Sequence, residues 1–138
     1  LVFATLVACT PKPAVYILSA AQGPDTVRQC TRQRVEAQGY WTPDERSVAQ
    51  AERRLSELSR LTPAVKEPDK TFRQYVGIYL SGKQVLYVNA GPRELATSGL
   101  DRLDVPFNLC DGGPSYWGAL FDMESQHFVS VSFTESGG

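Results

Sequence analysis

TFRQYVGIYLSGKQVLYVN, residues 71–89, is the stretch that decides the fold. Residues 71–80 are dense in β-branched and aromatic side chains, which favour strands. Ser81 and Gly82 form a turn signal, and a second apolar run follows at residues 83–89. Two strand-like runs joined by a two-residue turn predict a β-hairpin.

Residues before the hairpin carry the pattern of an amphipathic helix. Thr42 fits the N-cap position, Pro43 the first helical position, and Glu45 the reciprocal partner of a capping box. Apolar side chains then recur at spacings of three and four, which places them on one helical face. They are Val48, Ala51, Leu55 and Leu58. Because Pro63 cannot continue a helix, we predict one helix that begins at this cap and ends near Leu61.

Residues after the hairpin predict further strands. We expect an irregular segment at 90–104, a third strand at 105–110, and a second hairpin from strands at 116–122 and 126–133. The predicted fold is therefore α+β, with one amphipathic helix packed on an antiparallel β-meander of four to five strands. This layer architecture resembles the cystatin-like folds, and a shared architecture implies no function.

The N-terminal residues resemble the end of an export signal. Residues 1–8, LVFATLVA, are uncharged and apolar, end in small residues before Cys9, and are followed by Thr10-Pro11-Lys12-Pro13. Residues 6–9 resemble the bacterial lipobox, whose cysteine receives a lipid. The alternative is a buried strand or core helix that happens to contain a cysteine. We expect 1–8 to be the end of a lipoprotein signal peptide and Cys9 to be the lipidation site.

This interpretation also predicts location and domain organisation. Lipid on Cys9 would be the membrane partner of the chain, and two or more acyl chains would anchor it stably. Thr10 rather than Asp after the cysteine favours the outer membrane over the inner one, on the periplasmic face of the bacterial envelope. We expect a tether at 9–24, in which 14–18 is either a first strand or part of the tether, and a single globular domain at 25–138.

Two cysteines remain once Cys9 is assigned to lipid. Cys30 and Cys110 form an even pair, which an oxidising periplasm favours as a disulfide. The alternative is two buried free thiols. Pairing would remove both from the set of possible nucleophiles, so it weakens an enzymatic interpretation.

The composition of the chain limits the classes of partner and cofactor that can be expected. The chain has 138 residues, of which 42% are hydrophobic and 21% charged, as in an ordinary folded domain. Its formal net charge of -1 gives no long-range attraction for nucleic acid, so no nucleic-acid partner is expected. The single histidine, His127, is expected at the surface or on an edge strand, with a catalytic base as the alternative. The remaining His and Cys residues are too few for zinc, and no glycine fingerprint predicts a nucleotide, so we expect no cofactor.

The most distinctive motif of the C-terminal half is Asp111-Gly112-Gly113-Pro114, which predicts a tight turn. One interpretation is a purely structural turn. The functional alternative is a protruding recognition loop, because aromatic side chains are common binding anchors. Its candidate binding residues are Asp111, Ser115, Tyr116 and Trp117. A calcium site at Asp101, Asp104 and Asp111 is a remote third alternative, since the spacing of a calcium loop is absent.

Several motifs resemble a group of small uncharacterised proteobacterial lipoproteins. The resemblance covers roughly residues 28–133. It rests on RQYVGI (73–78), LYVN (86–89), CDGG (110–113), WG (117–118), Asp122 and Phe128. No activity and no catalytic residue are implied by it.

These features favour a non-enzymatic protein-binding module anchored at the envelope, such as an inhibitor or immunity factor against a wall-degrading enzyme. One alternative is a small envelope-maintenance enzyme with a cleft between helix and sheet. Such an enzyme would bring Tyr75, Tyr87, Asp111 and His127 within hydrogen-bonding reach of one another. A second alternative is a structural spacer within an envelope complex.

Overall fold

A computed structural model describes residues 14–95 and 102–134 of the chain and contains a six-stranded mixed sheet. The strands are β1 (Val15–Ile17), β2 (Gly39–Trp41), β3 (Thr71–Leu80), β4 (Lys83–Pro92), β5 (Trp117–Asp122) and β6 (His127–Phe133). Their order is β1-β3-β4-β5-β6, and β2 pairs with the same edge of β3 as β1 does. The predicted α+β fold is confirmed.

The predicted hairpin is confirmed as the centre of the sheet. Strands β3 and β4 pair in antiparallel register along ten residues each, from Thr71 opposite Pro92 to Leu80 opposite Lys83. Ser81 and Gly82 connect them with φ values of 50° and 75°. Positive φ at both central residues matches the right-handed twist of the flanking strands. The second predicted hairpin is also present as β5 and β6.

The first strand lies in the region predicted as a tether. Val15–Ile17 pairs in parallel with β3, with Val15 opposite Arg73 and Ile17 opposite Tyr75. The strand alternative for this segment is therefore correct, and the predicted domain start at residue 25 is too late. Leu18, which follows directly, is buried at 1% exposure.

The predicted third strand at 105–110 is wrong. Side chains of the sheet bind the backbone of this segment instead of a neighbouring strand. The side-chain amide of Gln74 donates to the carbonyl oxygen of Val105 at 2.6 Å, and that of Asn89 donates to the carbonyl oxygen of Phe107 at 2.8 Å. The backbone N–H of Phe107 donates to Oε1 of Gln74 at 3.1 Å. These bonds satisfy backbone groups that a strand would otherwise pair.

The predicted single helix is interrupted. Helix α1 is Gly23–Val27, and the predicted helical region forms α2 (Glu45–Glu52) and α3 (Glu57–Leu61), separated by a turn. Asp44, rather than Thr42, caps α2, because its side chain accepts from the backbone N–H of Ser47 at 2.7 Å. The hydroxyl of Thr42 accepts instead from the backbone N–H of Ala20.

The apolar residues of the predicted helix are buried as expected and pack on one face of the sheet, here called the helix face. They contact a set of sheet residues that includes Tyr75, Leu86, Val88 and Trp117. The opposite face, here called the disulfide face, carries Val76, Ile78 and Tyr87, packed against Leu18 and Val27. Because successive residues of a strand point to opposite faces, Tyr75 and Tyr87 lie on different sides of the sheet.

Candidate functional site

The disulfide face is organised by a covalent link. Cys30 and Cys110 form a disulfide with a Cα–Cα distance of 5.6 Å, which confirms the predicted pairing. The bond joins two irregular segments, 28–38 and 102–112, that are far apart in sequence. Both segments are thereby held over the same side of the sheet.

A buried network of side-chain amides, centred on the sheet, holds these segments against the disulfide face. Gln74 and Asn89 are 0% and 1% exposed, lie opposite each other on β3 and β4, and are joined by a 2.9 Å hydrogen bond. Gln29 adds a further bond, from its side-chain amide to the carbonyl oxygen of Phe107 at 3.0 Å. A satisfied polar network of this kind favours one arrangement of the chain over its alternatives.

Arg32 extends this network to the last strands of the sheet. It is 8% exposed, and its Nη1 donates to the hydroxyl of Tyr87 and to Oδ1 of Asn89, both at 2.9 Å. Its Nη2 donates to the hydroxyl of Thr134 at 3.1 Å. A Cβ at Gly118 would lie 2.9 Å from Nη1 of Arg32, so the absence of a side chain there lets the guanidinium sit against β5.

The described hydrogen-bond partners of Arg32 are all neutral. Burial raises the pKa of the Tyr87 hydroxyl, although the charge of Arg32 acts to lower it, so this phenol stays protonated at ordinary pH. Within the described ranges, Arg32 forms no ion pair with a carboxylate, and its buried Nε has no hydrogen-bond partner. A buried cation without a counter-charge is unusual, because burial of a charge is costly unless it is paired.

A pocket of about 320 Å³ adjoins this arginine. Its walls come from β3, β4, β5 and β6 and from the segment 32–36, which covers the sheet on this side. Val35, Leu80 and Leu120 make part of the lining apolar, and Ser130 and Ser132 contribute hydroxyl groups. A second, more polar cleft of about 490 Å³ lies on the other side of the same segment, and Arg32 lines both.

The predicted recognition loop divides into exposed and buried residues. Asp111 and Ser115 are exposed, and Asp111 adopts a φ of 63°. Tyr116 is half-buried and stacks on Phe107, with ring centroids 6.0 Å apart. Trp117 is only 2% exposed and belongs to the core of the helix face, so its predicted role as a binding anchor is wrong. The cause is strand alternation, which turns Trp117 inward at the first residue of β5.

The groups required by the enzymatic alternative are not brought together. Tyr75 and Tyr87 lie on opposite faces of the sheet, and Asp111 is at the surface. His127 lies at the start of β6, where its Nδ1 is 3.1 Å from the carboxylate of Glu57 on α3. This histidine is on the edge strand, as predicted, and it links that strand to a helix.

The calcium alternative gains no support. Asp104 is bound to the guanidinium of Arg102 at 2.9 Å, and Asp101 lies outside the described residues. In the parts of the chain that the structure covers, no three His, Cys, Asp or Glu residues are placed to hold a metal ion.

Cys9 and the predicted signal residues 1–8 lie outside the described residues, so lipidation stays a prediction. No helix in residues 14–95 and 102–134 has the length and apolar character to cross a membrane. No protein-family model, curated protein or solved structure matches this chain. The resemblance to proteobacterial lipoproteins likewise stays a prediction.

Sequence reasoning missed Arg32, Gln74 and Asn89, which organise the disulfide face. Gln74 and Asn89 do interrupt otherwise apolar strands, and this is a signal for buried polar groups. Arg32 carries no such signal, because it belongs to a run of polar residues that resembles a solvated surface segment.

Proposed function

We propose that this protein is a lipoprotein of the bacterial envelope, attached through Cys9, whose folded domain is a non-enzymatic protein-binding module. The attachment is supported by the lipobox-like residues 6–9. The binding role is supported by one structural observation: the turn at residues 109–116 is held rigidly at the end of the sheet while several of its side chains face solvent.

Three contacts make this turn rigid. The disulfide fixes Cys110, Tyr116 stacks on Phe107, and Phe107 in turn packs edge-on against the buried Phe72 at 5.3 Å. A rigid loop binds a partner without paying the entropy of ordering.

The exposed side chains of the turn are of mixed chemistry. Leu109 is 37% exposed, and Asp111, Pro114 and Ser115 are exposed as well. A Cβ at Gly112 would lie 2.9 Å from Leu109, so this glycine allows the leucine to fold over the turn. We propose a protein partner with a small apolar recess for Leu109 beside a cationic group for Asp111, because such central anchors dominate protein interfaces.

Photo-crosslinking in cells tests the binding role. A photoreactive residue at Ser115 should give a discrete crosslinked species, and one at Ser125, in the turn between β5 and β6, should not. Leu109→Glu should abolish the species seen from Ser115. The matched control is Val129→Glu, which also replaces an exposed apolar side chain by Glu. Val129 lies near the start of β6, and the turn at 109–116 adjoins the end of that strand. Equal crosslinking in the Leu109→Glu and Val129→Glu variants would contradict the proposal.

Metabolic labelling tests the anchor separately. The precursor should incorporate radiolabelled palmitate and fractionate with membranes, and Cys9→Ser should remove both properties. A labelled Cys9→Ser protein would show that the lipid is attached elsewhere.

A further inference from the structure

Two arginines are buried in the described part of the chain, and only one has a counter-charge among the residues described. Arg73 is 5% exposed, and its Nε and Nη2 donate to the two carboxylate oxygens of Glu52 at 2.8 and 2.6 Å. Arg32 is 8% exposed, yet its Nη2 donates only to a threonine hydroxyl, and its Nε has no partner. Within residues 14–95 and 102–134, the edge of the guanidinium that binds a carboxylate in Arg73 therefore has none in Arg32.

This difference has an energetic consequence. A guanidinium carries five N–H donors, and hydrogen bonds to neutral oxygens satisfy donors without neutralising the charge. A buried charge is stabilised mainly by an opposite charge with good hydrogen-bond geometry. One negative group with two oxygens would supply this missing counter-charge to Arg32.

The neighbouring pocket specifies the rest of such a ligand. Val35, Leu80 and Leu120 give it apolar walls, and its volume of about 320 Å³ lies at the small end of the usual range for ligand sites. The hydroxyls of Ser130 and Ser132 line the same pocket. A purely ionic ligand would leave the apolar walls unused, and a neutral apolar ligand would leave the arginine unpaired.

We propose that this pocket binds a small aliphatic carboxylic acid, with its carboxylate on Arg32 and its hydrocarbon part against Val35, Leu80 and Leu120. A carboxylate is favoured over phosphate because a single buried guanidinium neutralises one charge, and two coplanar oxygens match its edge. The Nε is enclosed by protein. The ligand therefore reaches it by displacing the exposed residues of segment 33–36, which line the pocket.

Titration calorimetry with octanoate tests the ligand class. Octanoate should bind the intact, disulfide-bonded domain at least about tenfold more tightly than octanol, which lacks the charge for Arg32, and than acetate, which lacks the hydrocarbon chain. Equal binding of octanol would show that Arg32 takes no part. Equal binding of acetate would show that the apolar walls take no part. No binding of octanoate at millimolar concentration would overturn the proposal outright.

Two pairs of variants locate the binding site. Ser130→Phe places a ring in the pocket and leaves every hydrogen bond of Arg32 in place, so it should abolish octanoate binding. Its control, Val129→Phe, adds the same ring on the same strand at a position that is 56% exposed, and it should bind like the wild type. Octanoate binding by Ser130→Phe at wild-type affinity would place the ligand elsewhere.

The second pair tests the charge. Arg32→Gln should weaken octanoate binding about tenfold or more, and Arg60→Gln, at an exposed position on α3 outside the pocket, should leave it unchanged. Equal losses in the two variants would indicate a general effect of positive charge and would contradict a specific role for Arg32. If Arg32→Gln fails to fold, the Ser130 pair still decides the outcome.

Discussion

Arg73 and Glu52 form a two-point ion pair that joins the centre of the sheet to the last residue of α2. The arginine Nε and Nη2 lie 2.8 and 2.6 Å from the two carboxylate oxygens. The hydroxyl of Tyr75 donates to the same carboxylate. Burial alone would lower the pKa of Arg73, but the carboxylate of Glu52 outweighs burial and raises it. The guanidinium of Arg73 therefore stays charged at all physiological pH values.

Glu52→Ala should destabilise the domain strongly. The substitution leaves the guanidinium of Arg73 buried without a counter-charge, and breaking a buried pair in this way costs about 3–5 kcal/mol. The free energy of unfolding in urea measures this loss. The matched control is Glu45→Ala, an exposed position on the same helix, which should cost less than about 1 kcal/mol. Similar losses in both variants would mean that the ion pair contributes no more than helix propensity.

The domain should lose stability in alkaline solution. Burial, reinforced by the negative charge of Glu52, raises the pKa of Tyr75 well above its usual value of 10. The unfolded chain therefore loses this proton at lower pH than the folded one. The stabilisation is fully present below about pH 10 and decreases as the pH rises toward the raised pKa of the folded state.

Urea unfolding at pH 8, 9, 10 and 11 measures this dependence. Tyr75→Phe should reduce the alkaline slope. Tyr75→Phe combined with Tyr87→Phe should reduce it further, because burial also raises the pKa of Tyr87. The control is Tyr79→Phe, at a ring on β3 that is 36% exposed, and it should keep the wild-type slope. An unchanged slope in the double variant would assign the alkaline sensitivity to other groups.

The parts of the fold that were predictable are those in which local pattern and tertiary packing agree. The run from Thr71 to Leu80 favours a strand by composition, and its turn fixes the register with β4. The apolar stripe from Val48 to Leu58 is also buried as predicted. Its break after Glu52 was not predictable, because the apolar spacing of three and four continues through Leu55 and gives no sign of an interruption.

The remaining errors arise where a distant side chain determines the structure. Residues 105–110 have a composition that favours a strand. The side-chain amides of Gln74 and Asn89 nevertheless form hydrogen bonds with their backbone, and no local sequence signal predicts such a partner. Arg32 is buried by residues far away in sequence, including Thr134, so its surface-like neighbours conceal it. The pairing of Cys30 with Cys110 was predictable because only two cysteines remained once Cys9 was assigned to lipid.

Removal of the disulfide should lower the stability of the domain substantially. The bond closes a loop with a sequence separation of 80 residues, for which the chain-entropy model gives about 4 kcal/mol. Cys30→Ala combined with Cys110→Ala should lose about this amount in urea unfolding. Dithiothreitol should destabilise the wild type to the level of the double variant and leave that variant unchanged. A wild type insensitive to full reduction would show that the amide network alone holds the two segments.

Truncation of Trp117 and Leu109 should have different effects on the free energy of unfolding, because one side chain lies in the core and the other at the surface. Trp117 is 2% exposed and packs in the core of the helix face, so Trp117→Ala should cost about 3–5 kcal/mol of unfolding free energy. Leu109 is 37% exposed, and Leu109→Ala should cost less than about 1 kcal/mol. Urea unfolding measures both values. If Trp117→Ala were as mild as Leu109→Ala, Trp117 would be available to a partner, and the binding surface would have to be redrawn to include it.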